Sequence, residues 1–330
     1  MLNKRYQSRD WVGEWYKILK QRGENDLCSF VRGTRNSNGS ISNEVEYSFS
    51  HSVMDGTSAI PHYLNKFGEK SEPRSTSYKK KIGLIKAIRL TLKNLTVRPK
   101  NNTKWLVSTD KKIDSLASYG RLSLSKEETI RFKDYCKSQG ISENAILMRE
   151  VTSLLFDLVE NTSDEHTWLF PVNMRGIANK NNPYANHSSF IPIDISAGST
   201  YQDLQDQMKE KLKSLSYVGI WWVHHIGILL GLKKMAEYSY KSSLKNFWLG
   251  SFSNVGEWVA DSPTFKGLGE EEAWFFATPG SKNFPVSMVT LTFNGQMAWS
   301  LRIHPAISKE PLETSVRILE KLKKKITSLA

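Results

Sequence analysis

The sequence predicts a mixed α/β or α+β protein that folds as two lobes. Segments in which apolar and polar residues alternate occur between segments with helical apolar spacing along the whole chain. The chain has 330 residues, of which 39% are hydrophobic and 24% charged, enough to bury the core of one large or two ordinary domains. A linker-like polar stretch lies over 101–118. We therefore predict an N-terminal lobe at 1–110 and a C-terminal lobe at 111–330.

The N-terminal lobe is expected to begin in the order helix, strand, strand, helix. Apolar spacing predicts helices over 10–22 and 57–67 and strands over 27–32 and 44–50. The stretch between the two strands, 33–42, is rich in Asn, Ser and Gly, which suits a hairpin or a flexible connection. The second strand alternates apolar and polar residues and runs directly into a histidine.

A basic segment follows over 79–104, with nine Lys and Arg residues and no acidic residue. Apolar residues recur in it at helical spacing, at Ile82, Ile85, Ile88, Leu92 and Leu95. This pattern is typical of a helix that lies on an anionic membrane. An inter-lobe helix packed on the protein with a solvated basic side has the same pattern. The same charges could also dock an acidic carrier protein or the phosphates of CoA.

The C-terminal lobe alternates strands and helices to the end of the chain. Ser125 and Glu128 match a capping box that begins one helix, and Ser142 caps the next. A short strand at 105–108 precedes this lobe. The elements predicted within it are strands at 119–124, 168–173, 188–195, 248–254, 273–277, 286–293 and 296–304, and helices at 125–138, 142–159, 201–215, 221–239 and 309–328.

The charge of the chain limits its partners. A formal net charge of +13 favours acidic partners such as nucleic acid, anionic lipid, a phosphorylated cofactor or an acidic carrier protein. We expect no nucleic-acid partner, because the chain has no nucleic-acid-binding motif and its basic residues are concentrated in one segment.

The remaining composition predicts a cytoplasmic protein without a metal. Cys28 and Cys136 lack ligand spacing and are too few for a disulfide scaffold, so we expect free thiols in a reducing compartment. His224 and His225 have no Cys, Asp or Glu nearby at ligand spacing, so no metal site is expected. The N-terminus does not match a secretory signal, and no apolar run reaches the roughly 18 residues of a membrane span. Peripheral membrane contact is expected only through 79–104.

The segment His51-Ser-Val-Met-Asp55-Gly56 holds the residues best suited to chemistry. The strand places His51 in a turn, and Gly56 lets the backbone bend into a helix that Thr57 or Ser58 would cap. A histidine with a pKa of about 6.5 can take a proton at neutral pH, so His51 is the candidate general base. Asp55 need not touch a substrate, since at this spacing it can hold the turn by pairing with an arginine elsewhere.

The run Tyr47-Ser-Phe-Ser-His51-Ser-Val-Met-Asp55-Gly56-Thr-Ser resembles the active-site segment of the chloramphenicol acetyltransferase-like superfamily. That group includes nonribosomal peptide condensation domains, plant BAHD acyltransferases, alcohol acetyltransferases and wax ester synthases. Many members carry a further histidine before the base, where this chain has Ser50. The resemblance spans nearly the whole chain, and it extends to Phe170-Pro-Val-Asn-Met-Arg175-Gly176, Asn186-His-Ser-Ser-Phe190-Ile-Pro-Ile-Asp-Ile and Ser251-Phe-Ser-Asn254-Val-Gly256.

The resemblance implies two lobes that form a V around a central tunnel. It also implies a first lobe shortened at its N-terminus, because only 50 residues precede His51. The implied reaction is direct acyl transfer, in which His51 takes a proton from a hydroxyl or amine acceptor. The acceptor then attacks the thioester of acyl-CoA or of an acyl-carrier protein. No cofactor is expected beyond this co-substrate.

The resemblance also suggests where the substrates bind. Ser253, Asn254 and Thr292 are the candidates for binding the substrate and its oxyanion. Arg175 is counted at the same site, where it would either pair with Asp55 across the lobes or stabilise its own strand. The alternative function is a non-catalytic, condensation-like binding module that keeps the fold without turnover. The intact histidine and aspartate argue against that alternative, and the short N-terminus argues for it.

Overall fold

The computed structural model describes residues 11–24, 26–37, 39–66, 68, 70–74, 82–95, 97–108, 119–177, 183–227, 231–260 and 272–330. Strands and helices are mixed throughout these residues, which confirms the predicted fold class. The helices are α1 (Trp11–Gln21), α2 (Gly56–Lys66), α3 (Leu84–Lys93), α4 (Lys126–Gln139), α5 (Glu143–Leu155), α6 (Tyr201–Lys213), α7 (Ser216–Gly227), α8 (Leu232–Ser243) and α9 (Pro311–Leu329). The strands are β1 (Leu27–Arg35), β2 (Ile41–Ser50), β3 (Tyr119–Ser123), β4 (His166–Asn173), β5 (Ser188–Ile195), β6 (Gly250–Trp258), β7 (Glu272–Ala277), β8 (Val286–Phe293) and β9 (Gln296–Ile303).

The larger sheet has six strands in the order β3-β9-β8-β6-β4-β5. Strand β6 runs parallel to β4 and β8, and the other neighbouring pairs are antiparallel. Apolar residues of α4, α5, α6 and α9 pack with one face of this sheet in the largest core cluster, which includes Trp168, Trp299 and Phe252. The amphipathic spacing of these helices explains why they cover a sheet face, since each must bury one apolar side.

The smaller sheet combines strands that are distant in sequence. Its order is β2-β1-β7, with both neighbouring pairs antiparallel. Strand β7 belongs to the second half of the chain, so the sheet that leads into His51 is completed from that half. Helix α2 packs against it through Ile60, Tyr63 and Leu64. The predicted lobe boundary near residue 110 lies outside the described residues and stays a prediction.

Most predicted elements differ from the observed ones by a few residues at their ends, and three places differ more. The stretch 33–42 is a tight hairpin, because β1 and β2 continue pairing as far as Arg35 and Ile41. The single helix predicted over 221–239 is two helices, and Gly231 between them has a φ of +96°, which a helix cannot contain. The short strand predicted at 105–108 is reduced to an isolated bridge from Trp105 to Val159. Both cysteines are buried free thiols.

Arg302 carries a buried charge on the face of β9 that packs against the smaller sheet. In the sheet, Arg302 lies opposite Tyr119 of β3. The residue is 1% exposed, and its guanidinium lies 5.1 Å from the Tyr119 ring centroid. None of its three side-chain nitrogen atoms has a hydrogen-bond partner among the described residues. Burying a charge without hydrogen bonds is costly, and a cation–π contact with one ring offsets only part of that cost, so this position opposes the stability of the fold.

We expect Arg302→Met to raise the free energy of unfolding by about 1–4 kcal/mol, because a neutral side chain of similar length removes that cost. The measurement is the urea midpoint of the purified variant beside the parent protein. Arg302→Lys is the control, since it retains a buried charge and should bring no gain. A less stable Arg302→Met protein would mean that the guanidinium has a stabilising partner and would contradict the prediction.

Candidate active site

His51 lies at the end of β2, in the turn that leads into α2. Its backbone N–H donates to the carbonyl of Asp26 at 2.8 Å, and its own carbonyl accepts from the side-chain amide of Asn186 at 2.9 Å. Its ring Nδ1 lies 3.1 Å from the carbonyl oxygen of Met54. A carbonyl oxygen can only accept, so Nδ1 carries the proton of the neutral ring. Nε2 is therefore the nitrogen with a lone pair.

The surroundings of His51 favour its neutral form. The side chain is half-buried, and the ring of Tyr16 lies 5.5 Å away, centroid to centroid. Burial lowers the pKa of His51 below its ordinary value, and this outweighs the opposing effects of the Met54 hydrogen bond and the charges of Asp55 and Asp26. An unprotonated imidazole is the form that can accept a proton.

Asp55 is a structural carboxylate that is 3% exposed. It accepts from both terminal nitrogens of Arg175 at 2.9 and 3.0 Å and from the backbone N–H of His187 at 2.9 Å. It also caps α2, accepting from the backbone N–H of Ser58 at 3.1 Å. Burial acts to raise the pKa of Asp55, but the charge of Arg175 and these hydrogen bonds hold it below its ordinary value.

Arg175 uses all of its N–H donors within the protein. Besides its two bonds to Asp55, Nη1 donates to Asn173 at 3.2 Å, Nη2 to the carbonyl of Ala185 at 2.6 Å and Nε to that of Pro183 at 2.7 Å. Both alternatives for this residue are therefore observed, since it pairs with Asp55 and also holds its own segment. A guanidinium has five N–H groups, and all of those of Arg175 are occupied within the protein, so none is left for a substrate in this structure.

Gly56 is required for close packing at the start of α2. A Cβ added there would lie 2.7 Å from Cγ1 of Val255 and 3.1 Å from Cε1 of Phe276. A larger residue would thus push β6 and β7 away from the helix. The predicted cap at Thr57 or Ser58 is corrected, because the capping side chain belongs to Asp55 and the Ser58 hydroxyl accepts from the backbone N–H of Asp55 in return.

A cavity of about 760 Å³ brings His51 together with residues of both sheets. Two of the candidate substrate-binding residues, Ser253 and Asn254 on β6, line this cavity. The Asn254 amide is already engaged, since its oxygen accepts from Gly256 and its nitrogen donates to Asn144. The Ser253 hydroxyl makes no hydrogen bond to another described residue and is free to donate into the cavity.

Thr292 lies outside this cavity. It is 6% exposed and lies on the face of β8 that carries Met288, which packs into the helix-covered core. Unlike Ser253 and Asn254, Thr292 therefore does not line the cavity that contains His51. Three cavity residues that the sequence interpretation did not single out are Tyr16, Asn186 and Ser251. Ser251 could have been identified from the sequence, because it precedes Ser253 by two residues on the same strand and so lies on the same face.

Among the described residues, no three His, Cys, Asp or Glu side chains are grouped as metal ligands. Within the same residues, none of the helices is both long and apolar enough to cross a bilayer. What the site does contain is a proton acceptor, His51, an ion pair that supports its turn, and the hydroxyl groups of the cavity wall.

No protein-family model matches the sequence, and no curated protein matches it either. Among solved structures, the chain is similar to polyketide synthase associated protein 5 from Mycobacterium tuberculosis, with a TM-score of 0.53 and 10% identity over 98% of both chains. It is also similar to a trichothecene 15-O-acetyltransferase from Fusarium sporotrichioides, with a TM-score of 0.54 and 11% identity over 98% of this chain and 76% of that one.

A third similar structure is the epimerization domain from the third module of tyrocidine synthetase B. The TM-score is 0.53 and the identity 12%, over 87% of this chain and 68% of that one. The chain spans 60% of the length of the EpoB cyclization-docking bidomain from Sorangium cellulosum, which it matches with a TM-score of 0.55 and 10% identity. Identities this low show a shared fold and leave the reaction open.

Proposed function

We propose that this protein, which has the chloramphenicol acetyltransferase-like fold, is an acyltransferase that uses His51 as its general base. The observation that carries the proposal is the hydrogen bond from His51 Nδ1 to the Met54 carbonyl, because it leaves the Nε2 lone pair of a cavity-lining imidazole as the proton acceptor. The donor is an acyl thioester, of CoA or of a carrier protein. The acceptor is a hydroxyl or an amine.

In the proposed reaction, Nε2 of His51 removes the proton of the acceptor as the acceptor attacks the thioester carbonyl carbon. The tetrahedral intermediate carries a negative oxygen, to which the Ser253 hydroxyl donates a hydrogen bond. Collapse of the intermediate breaks the carbon–sulfur bond and releases a thiolate, which takes the proton from the His51 imidazolium. The Met54 carbonyl and Asp55 keep the ring and its turn in place throughout.

The proposed reaction uses the acyl thioester as co-substrate, and the proton is transferred through the His51 side chain. CoA thioesters and carrier proteins are cytoplasmic, so we place the protein in the cytoplasm as part of the same proposal. The net charge of +13 supports an anionic donor, whether the phosphates of CoA or an acidic carrier protein.

The proposed function is tested by thiol release from acyl-CoA substrates of increasing chain length, and from acyl-carrier protein, with alcohols and amines as acceptors. We expect release that requires an acceptor and yields the matching ester or amide by mass spectrometry. Thioester binding without acceptor-dependent release, for every donor and acceptor class, would contradict an acyltransferase and favour the non-catalytic binding module.

We expect Ser253→Ala to lower kcat by about ten- to a thousand-fold with little change in KM, because an oxyanion donor acts mainly in the transition state. Steady-state kinetics with the best acyl donor measure this. Asn254→Ala is the matched control on the same strand, since the Asn254 amide already bonds to Asn144 and Gly256. Equal losses in the two variants would rule out a specific role for Ser253.

A further inference from the structure

Helix α3 presents a row of aliphatic side chains at the protein surface. Ile85, Ile88, Leu92 and Leu95 are 79, 48, 62 and 56% exposed. They are separated by three, four and three residues, so they share one face of the helix and of the turn after it. We call this row the α3 stripe. Contiguous exposed apolar side chains of this kind mark an interaction surface.

The other side of α3 is packed on the protein. Ala87 and Thr91 are buried, and a Cβ on Gly219 of α7 would lie 2.2 Å from the carbonyl oxygen of Leu90. The backbones of α3 and α7 are therefore in direct contact, which sets the rotation of α3. Helix α3 is thus packed on the protein with an exposed basic side, as one interpretation of this segment has it, and the four stripe residues are exposed as well.

Basic residues alternate with the stripe residues in the sequence and lie along one side of the stripe on the helix. Lys86, Arg89 and Lys93 are exposed, and none forms an ion pair with an acid in the part of the chain that the structure describes. A second copy of the chain is a poor occupant, because a symmetric contact would bring these like charges together. An anionic bilayer accepts both features, since headgroups pair with the charges while the acyl boundary takes up the aliphatic side chains.

The stripe is continuous with the mouth of the cavity. Leu95 belongs to both, and Asn94, Val97 and Arg98 beside it also line the cavity. Tyr238, which is 69% exposed, also lines the cavity. Asp55 is the one acidic residue among the described residues that line the cavity, and it is neutralised by Arg175. A surface placed on the stripe would therefore meet the cavity at its uncharged or basic side.

We propose that the α3 stripe inserts into the interface of an anionic lipid bilayer and that a membrane-dissolved, lipophilic substrate enters the cavity past Leu95. The identity of that substrate as an acyl donor or acceptor rests on the proposed function, whereas the membrane contact does not. The segment 79–81, which carries three further lysines in the sequence, lies outside the described residues.

The test is sedimentation with vesicles of phosphatidylcholine containing about one third phosphatidylserine, at low and high salt. The wild-type chain should sediment with these vesicles. Ile85→Asp/Leu92→Asp should weaken binding by about 100-fold, since it removes two inserted aliphatic side chains. Lys86→Glu/Arg89→Glu/Lys93→Glu should weaken it by at least about 100-fold, from roughly fivefold per basic residue, and should abolish most of the salt dependence.

The matched control is Ile130→Asp/Leu312→Asp, which changes two exposed aliphatic residues on α4 and α9 that do not line the cavity. This variant should bind vesicles like the wild type. The proposal would be overturned by an equal loss of binding in the control or by unchanged binding of Ile85→Asp/Leu92→Asp. It would also be overturned if the stripe mediated dimer formation, or binding to a carrier protein, in place of vesicle binding.

Two further measurements separate the membrane proposal from the proposed function. His51→Ala should bind vesicles like the wild type, because His51 is not part of the stripe. Ile85→Asp/Leu92→Asp should slow transfer involving a vesicle-dissolved substrate by about tenfold or more while leaving transfer between soluble substrates unchanged. A wild-type rate on the vesicle-dissolved substrate in this variant, or an equal slowing on both kinds of substrate, would overturn the lipophilic-substrate part. Stripe-dependent vesicle binding without any acyl transfer would instead contradict only the proposed function.

Discussion

Replacing His51 by alanine will lower kcat/KM for acyl transfer by about a hundred- to ten-thousand-fold while the protein keeps its fold. The imidazole is held by the Met54 carbonyl at Nδ1, and its Nε2 is the proton acceptor of the proposed reaction. The same change removes only one half-buried ring from the turn, so its effect on stability should be small. Thiol-release kinetics and far-ultraviolet circular dichroism measure the two effects.

His62→Ala is the matched control for this experiment. His62 lies on α2, close in sequence to His51, but does not line the cavity. Its replacement should leave the turnover number within a few-fold of the parent value. A folded His51→Ala protein with unchanged turnover would exclude His51 as the general base, whatever the control does.

The pH profile gives a second measurement on the same residue. Because burial lowers the pKa of His51 below its ordinary value of 6.5, the ring stays neutral further into the acidic range. Activity should therefore be full above that lowered pKa and should be lost as the pH falls through it. A limb of kcat/KM centred above pH 6.5 would mean that another group titrates, or that the carboxylates of Asp55 and Asp26 dominate over burial.

The local part of the site could be predicted from the sequence because neighbouring residues encode it. An alternating strand, a histidine, a short turn and an apolar helix lie within one continuous segment, and the resemblance of that segment identifies the fold. From the sequence, the pairing of Asp55 with Arg175, 120 positions away, is only one of two alternatives, the other being that Arg175 stabilises its own strand. The structure contains both, because one guanidinium has enough donors to hold a carboxylate and its own loop.

Other features could not be predicted, for physical reasons. Both faces of β8 are buried and both carry hydroxyl residues, Ser287 on one face and Thr290 and Thr292 on the other, so polarity does not indicate which side Thr292 faces. The apolar period of α3 is the same whether its apolar face is buried or exposed, and only the contact with α7 decides which side of the helix is packed on the protein. The pairing of β7 with β1 depends on residues more than 200 positions apart, beyond any local pattern.

Asp55→Asn will lower the free energy of unfolding by about 3–5 kcal/mol, because it leaves the buried guanidinium of Arg175 without its counter-charge. Activity should fall with stability, since the same carboxylate caps α2 and anchors the His51 turn. Urea unfolding of the variant measures the loss. Asp157→Asn is the control, because Asp157 is an exposed partner of Lys321 and a surface pair contributes about 1 kcal/mol or less.

The stability that Asp55 contributes should also depend on pH in a defined direction. The folded-state pKa of Asp55 lies below the ordinary value of 3.8, so its contribution is present above pH 3.8 and is lost as the pH falls through the folded-state pKa. The difference in urea midpoint between the parent protein and Asp55→Asn should therefore shrink below pH 3.8. A difference that stays constant to lower pH would contradict an ionised Asp55.

A double-mutant cycle distinguishes a structural ion pair from a direct catalytic role. Arg175→Met should destabilise the protein by a similar amount, because it leaves the Asp55 carboxylate buried and unpaired. The double variant Asp55→Asn/Arg175→Met should be less destabilised than the sum of the two single changes, with a coupling of about 0.5–3 kcal/mol. Each variant's activity should follow its stability and recover in part in the double variant. A fully stable Asp55→Asn protein without activity would instead make Asp55 a participant in the chemistry, because loss of the turn could not then explain the loss of rate.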